Sequence, residues 1–256
     1  EFLFFLRWSG IRFDHPSEFL FDLGLYVEAI STQAAPLLIL AFGMTVVLVT
    51  AGIDLSAGSM TALIACVMST FDGGTDFWIT AVPLGLGLGL GLGLFNGLLI
   101  ARLDVPPIIA TLGTLFFYRG LCYVVRRSTE AGAFSQVPAW GPLPEYVWFG
   151  EFPGAILLAM SLLVVGGVWF SWSRWRRELL MLGGNKVAAR YAGIPTSFRL
   201  VQVYVFMGGC AFFDAVCGTA REGYVSASWQ MGLEFQVIVA VVLGGTRVEG
   251  GSGSLV

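Results

Sequence analysis

Apolar runs close to the length of a bilayer crossing recur from one end of this chain to the other, and few folds accommodate that. A hydrocarbon core about 30 Å thick needs roughly 20 apolar residues in a helix rising about 1.5 Å per residue. The runs are Phe2 to Leu6, Ser31 to Thr50, Ala57 to Phe71, Trp78 to Ile100, Thr111 to Val125, Pro153 to Trp172, Leu200 to Ala220 and Phe235 to Gly244. They predict an all-α integral membrane protein, a polytopic helical bundle of about eight spans, several of them short. Charged residues make up only 12% of the chain, against roughly 25% in a soluble domain. A barrel is disfavoured because the runs are continuous rather than alternating in segments of ~10. The solvent is therefore the lipid bilayer, and a net charge of −3 gives no footing for a nucleic acid partner. The whole of 1–256 reads as one transmembrane domain, trimmed at both ends.

Between the sixth and seventh runs, "SWSRWRRELLMLGGNKVAARYAGIPTSFR" (171–199) holds six Lys/Arg against one acid, Glu178. The positive-inside rule makes this segment cytoplasmic. Alternating outward places Arg102, Arg174, Arg176, Arg177, Lys186, Arg190, Arg199 and Arg247 inside, and Arg7, Arg12, Arg126, Arg127 and Arg221 outside. Asp14, Asp72, Asp76, Glu145 and Glu222 are among the acids outside. Trp169, Trp172 and Trp175 suit either an aromatic belt at the inner interface or packing against a neighbouring helix.

"PLGLGLGLGLGLFNG" (83–97) alternates as a strand would, but an open strand in lipid leaves its backbone polar groups unpaired. It is expected to be helix. At helical spacing Gly85, Gly89, Gly93 and Gly97 form successive GxxxG steps, a groove for another helix backbone. Helix packing is preferred there over substrate contact.

Asp54, in "VVLVTAGIDLSAGSM" (46–60), breaks an apolar stretch between Gly52 and Gly58. A charge at bilayer depth costs at least ~2.5 kcal/mol in a lipid-facing helix. The expected structure is a break: one helix ends near Thr50, and Asp54 or Ser56 caps the next by accepting backbone N–H bonds. Asp54 is then a capping and hinge residue or a residue of a translocation route, since broken helices in transporters line such routes. "FQVIVAVVLGGTRVEGGSGSL" (235–255) repeats the pattern, a possible internal repeat with both breaks on the cytoplasmic side by span count.

"GIDLSAGS", "NGLLIARLDVPPIIATLGTLFFYRGL", "LGGNKVAARYAGIP" and "VVLGGTRVEGGSGS" together resemble recurrent segments of the permease subunits of bacterial sugar-import ABC transporters, the ribose, xylose, rhamnose and autoinducer-2 group. The likeness runs in the family's order from about residue 31 to the end. It implies that 171–199 is a cytoplasmic coupling loop docking onto a separate ABC ATPase, with Gly183, Gly184, Asn185, Ala188, Ala189 and Gly193 as coupling residues. ATP and Mg would sit on that partner, with no cofactor or metal on this chain. A second permease subunit, as homo- or heterodimer, and a periplasmic or extracellular solute-binding protein complete the expected partners. Ala188, Ala189 and Ala192 would offer a small-residue helix surface to a cleft, ended by Gly193 and Pro195. Asn96 and Thr111, in the second segment, join Asp54, Ser56, Arg119, Asp214 and Glu234 as candidates for the pathway or the helix break. Two departures from the family stand out: Gln236, where an acid is usual, and Asp214, where a small apolar residue is usual.

No GxxxxGK[ST] occurs, and Lys186 is the only lysine, so ATP is not bound here by a Walker loop. No HExxH or nucleophile elbow is present, and His15 stands alone in a polar segment. Nothing in the sequence reads as an enzyme. Arg119 fits a structural role, bonding carbonyls of a broken helix. Asp214 is either functional or a protonated or paired acid, with Arg119 as one partner. Cys210, Asp214 and Cys217 share a helix face that should turn towards protein. The four cysteines read as packing residues. The expected function is the membrane-spanning permease subunit of an ABC importer for a monosaccharide or related small solute. The alternatives are a branched-chain amino-acid ABC permease, or a self-contained carrier using Asp54 and Asp214 as proton sites.

Overall fold

The computed structural model describes residues 34–71, 77–128, 134–136, 148–149, 152–222 and 224–253. The run at 2–6, His15, Asp14, Asp72, Asp76 and Glu145 lie outside them. Helix α1 spans Ala34–Val49 and α2 Ala57–Met68; a π-helical turn, Phe77–Ala81, runs straight into α3, Val82–Ala101. Helix α4 (Pro107–Ser128) precedes three short strands, β1 (Phe134–Gln136), β2 (Trp148–Phe149) and β3 (Phe152–Pro153). Then come α5 (Gly154–Trp172), α6 (Arg174–Gly184), α7 (Lys186–Tyr191), α8 (Thr196–Glu222), β4 (Tyr224–Ser226) and α9 (Leu233–Leu243). Strand β4 pairs antiparallel with β1. Three helical stretches, Ile79–Ala101, Pro107–Arg126 and Thr196–Thr219, are long and apolar enough to cross a membrane, and four shorter apolar helices accompany them. The fold is thus an all-α membrane bundle with at least three full spans.

The alternating segment is helix α3. Gly85, Gly89, Gly93 and Gly97 are its buried face, whereas Gly87 and Gly91 look outward with nothing near them. The buried glycines admit the backbone of α8: a Cβ at Gly89 would lie 2.6 Å from the Gly208 carbonyl, and one at Gly97 2.9 Å from the Val201 Cα. A Cβ at Gly93 would collide with the Tyr204 carbonyl, and one at Gly208 with the carbonyl of Gly89. The groove is therefore two-sided, with α8 contributing its own glycine.

Helix α2 carries no amphipathic stripe, because neighbours surround it: α3, α4 and α8 all pack on it, and every residue except Val67 is buried. A helix apolar all round belongs in such a place. Its buried residues join α1, α4 and α8 in one core that includes Met44, Leu48, Met60, Ile64, Tyr118, Tyr204 and Met207.

Both chain breaks use the same stop. At the end of α1 the Ala51 N–H bonds the Leu48 carbonyl at 2.9 Å and the Gly52 N–H the Val47 carbonyl at 3.2 Å. At the end of α9 the Gly245 N–H bonds Val242 at 3.0 Å and the Thr246 N–H bonds Val241 at 3.2 Å. This pair of bonds, closed by one left-handed residue, is the Schellman motif. The left-handed position is Ala51 (φ 58) in the first break and Gly245 (φ 94) in the second. A Cβ at Gly245 would meet nothing, so Gly245→Ala isolates backbone strain. It should destabilise by about 1–2 kcal/mol, read as a lower unfolding midpoint in detergent.

Candidate functional site

Asp54 is fully buried between α1 and α2. Its Oδ1 accepts the Ser56 N–H at 2.8 Å and the Ser56 hydroxyl at 2.6 Å. The expected helix cap is thus corrected in form. Ser56 occupies the N-cap position with helical dihedrals (φ −84, ψ −6) and makes no side-chain cap bond, because a capping hydroxyl needs an extended residue to reach back to the first turn. Asp54 instead closes an Asx-type turn onto its second neighbour.

The Ser56 hydroxyl accepts Asn96 Nδ2 at 2.8 Å, and Asn96 Oδ1 accepts the Tyr118 hydroxyl at 3.1 Å. Thr111 donates to the carbonyls of Ile53 (3.1 Å) and Pro107 (2.8 Å). The break is thereby tied to α3 by Asn96 and to α4 by Thr111 and Tyr118. All of these side chains are buried. Asn96→Leu removes the Nδ2 donor to the Ser56 hydroxyl, and a buried group left unsatisfied costs about 1–3 kcal/mol. The expected result is a matching loss of stability in detergent unfolding, with Asn96→Gln milder.

Glu234 lies in the first turn of α9 and is buried. Its Oε2 would be 2.5 Å from a Cβ at Gly58, and the Gln230 carbonyl 2.6 Å from it. Gly58 thus lets the N-terminal turns of α2 and α9 abut. Carboxylates at helix N-termini offset the exposed positive ends of the peptide dipoles, and Asp54 and Glu234 stand at these two. Asp54 Oδ2, Glu234 Oε2 and the Tyr204 hydroxyl are buried without a hydrogen-bond partner among the described residues.

Arg119 donates from Nη1 to the carbonyls of Ala227 (2.9 Å) and Trp229 (2.7 Å), in the turn preceding α9. Arg126, read from the sequence as an outside charge, is buried and bonds the Val225 carbonyl at 3.0 Å and the Ser69 hydroxyl at 3.2 Å. Asp214 stands apart from the break. It is buried on the face of α8 that carries Cys210 and Cys217, and those cysteines pack with Ala35, Ile39 and Phe42 of α1 and Ala159 of α5.

The basic segment is almost entirely helical. Ser173 caps α6 by accepting the Arg176 N–H at 3.1 Å. Asn185 caps α7 by accepting the N–H groups of Val187 and Ala188, both at 2.9 Å. Gly193 (φ 81) closes α7, with the Ile194 N–H on the Ala189 carbonyl at 3.1 Å. The expected small-residue contact surface is corrected. Ala189 is only 1% exposed, packed on Ala101, Leu182 and Leu200, because a short helix lying on a bundle must bury one face. The outward side carries Ala188 and Ala192 with Val187 (64% exposed), Tyr191 (89%) and the exposed Lys186 and Arg190. Of the three tryptophans, Trp169 and Trp172 are exposed, while Trp175 packs edge-on against Phe170 and Phe206.

Gly183 belongs to α6 rather than to a loop. A side chain there would collide with the Val49 carbonyl and lie 2.7 Å from the Gly251 nitrogen. The Gly251 N–H donates to that same carbonyl at 3.0 Å, and Arg176 reaches the Gly253 carbonyl at 3.2 Å. The basic segment therefore rests directly on both helix breaks. Sequence reading missed Tyr118, Tyr204, Gly208 and Gly251. Only Gly208 carried a local signal, as half of a Gly-Gly pair inside an apolar run.

These features define a polytopic helical membrane protein with paired helix breaks and a basic helical segment braced against them. Residues 26–256 match the family described as branched-chain amino acid transport system / permease component, and the chain belongs to that family. It is accordingly a multi-pass permease of the inner membrane, a transport subunit and not an enzyme. The chain is 33% identical over 235 residues to the inner membrane ABC transporter permease protein YjfF of Escherichia coli (strain K12), covering 88% of this chain and 69% of that one. It is 31% identical to the D-allose transport system permease protein AlsC of the same strain, covering 90% and 70%. It is 32% identical to the autoinducer 2 import system permease protein LsrC of Salmonella choleraesuis (strain SC-B67), covering 88% and 64%. No solved structure matches the chain. Among the described residues, no cluster of three or more His, Cys, Asp or Glu could hold a metal ion.

Proposed function

We propose that this chain is the membrane-spanning permease subunit of a binding-protein-dependent ABC importer for a monosaccharide or related small neutral solute. A second permease subunit would complete the route, a solute-binding protein would deliver from outside, and ATP and Mg would be bound by a separate cytoplasmic ATPase. The observation that carries the reading is the basic segment: α7 presents an exposed Val187, Ala188, Tyr191 and Ala192 face while its other side bears on the bundle. Residues 171–199 would couple the ATPase to the breaks. Asp54, Ser56, Asn96, Thr111, Arg119 and Glu234 would hold the broken helices at the route, with Asp214 outside that group. The shorter apolar helices would bring the bundle towards about eight spans, and the Gly-flanked, acid-bearing breaks after α1 and α9 would be the matching parts of an internal repeat.

The family description favours a second reading, an amino-acid permease; the relatives named for D-allose, fructose and galactose transport favour a sugar. Vesicles holding the complete complex separate the two. ATP-dependent uptake of labelled D-allose, D-galactose or D-fructose but not L-leucine is expected. Uptake of L-leucine alone contradicts the sugar reading.

A further inference from the structure

The end of α8 remote from the basic segment lies about 40 Å away, from its 27 residues at ~1.5 Å each. There β4, the following turn and the start of α9 border an open cavity of about 480 Å³ whose lining includes Tyr224, Ser226, Ser228, Gln230 and Gln236. Small-molecule sites fall at roughly 300–1,000 Å³. The sign of the positive-inside rule makes this the outer end.

Among the described residues, every side chain lining the cavity is uncharged. The polar ones are hydroxyls and carboxamides, which both donate and accept, and the hydroxyls of Ser226 and Ser228 lie 3.2 Å apart. Among the described charged side chains nearby, Glu234 points at Gly58, while Arg119 and Arg126, 7% and 3% exposed, bond the carbonyls of Val225, Ala227 and Trp229. Those bonds fix the wall from behind. The Trp229 indole is wedged over Gly218, where a Cβ would lie 2.7 Å from the ring. The mouth stays open, with Ser228, Met231 and Gln236 exposed. An amino-acid zwitterion would find no charged side chain to pair with among the described lining residues. A neutral polyol needs only what this lining offers.

We propose that this cavity is an outer recognition site on the permease for a neutral polyhydroxylated solute, with Gln230 and Gln236 as its principal hydrogen-bonding side chains. The inference rests on the importer reading above. The test uses the complete reconstituted complex and whichever of D-allose, D-galactose and D-fructose the wild type takes up fastest. Losing two hydrogen bonds to a neutral partner predicts a fall of roughly 30-fold in uptake at limiting solute for Gln230→Ala/Gln236→Ala. Uptake at saturating solute should recover towards the wild-type rate, because the lost contacts act on binding. Ser228→Ala, at an exposed position, should give a smaller fall of the same kind and serves if the double variant does not accumulate. Unchanged uptake in these variants overturns the site. So does weakened docking with normal uptake per docked complex, which would assign the cavity to the binding protein. A wild-type complex that takes up no sugar fails the importer reading first, independently of the variants, and removes the basis of the inference with it.

Discussion

Gly93→Leu is expected to abolish accumulation of the folded subunit in the membrane. Helices α3 and α8 meet backbone to backbone, and even a methyl group at position 93 would run into the Tyr204 carbonyl. Nothing flexible can retreat, because the obstacle is the main chain of a helix that also carries Gly208 against Gly89. Overpacking of a core costs about 1–3 kcal/mol where side chains can adjust; here whole helices must separate, forfeiting the dispersion contacts that hold membrane helices together. Gly91→Leu is the matched control, as a Cβ there meets nothing. It should insert and accumulate normally, and equal membrane levels of the two variants would show that the groove does not hold the bundle together.

Ala188→Arg is expected to abolish solute-stimulated ATP hydrolysis in the reconstituted complex while the subunit inserts and pairs normally. Position 188 is exposed on α7 and its backbone N–H is held by Asn185, so bulk and charge there burden only a partner. Ala189→Arg should behave differently, since Ala189 is enclosed by Ala101, Leu182 and Leu200. Burying an unpaired guanidinium costs several kcal/mol, so that variant should lose protein rather than coupling. Full stimulation in Ala188→Arg would remove α7 as the coupling element.

Much of this was legible from pattern alone, and the reasons are local. The alternating Gly-Leu segment could only be helix in lipid, and the spacing of Gly85, Gly89, Gly93 and Gly97 already defined which face is buried. The break at Asp54 followed from the cost of a carboxylate at bilayer depth. What the sequence could not supply was partnership across the chain. Tyr118 lies 22 residues from the Asn96 it bonds, and Gly251 meets the Val49 carbonyl from the far end of the molecule. The inward turn of Ala189 was equally hidden, since three alanines in a short helix carry no mark of which one faces the bundle. Arg126 was counted only as one of the outside charges, and its burial against the Val225 carbonyl carried no mark in the sequence.

On the importer reading this chain is a passive route, driven by ATP hydrolysis on a partner subunit. Proteoliposomes holding the permease, its ATPase and the loaded binding protein test it most directly, with labelled hexose uptake measured with and without ATP and with the proton gradient collapsed. Uptake should require ATP and the binding protein and should be indifferent to collapse of the gradient. Uptake by the permease alone, driven by a proton gradient and lost in Asp54→Asn, would contradict the claim and make the chain a secondary carrier.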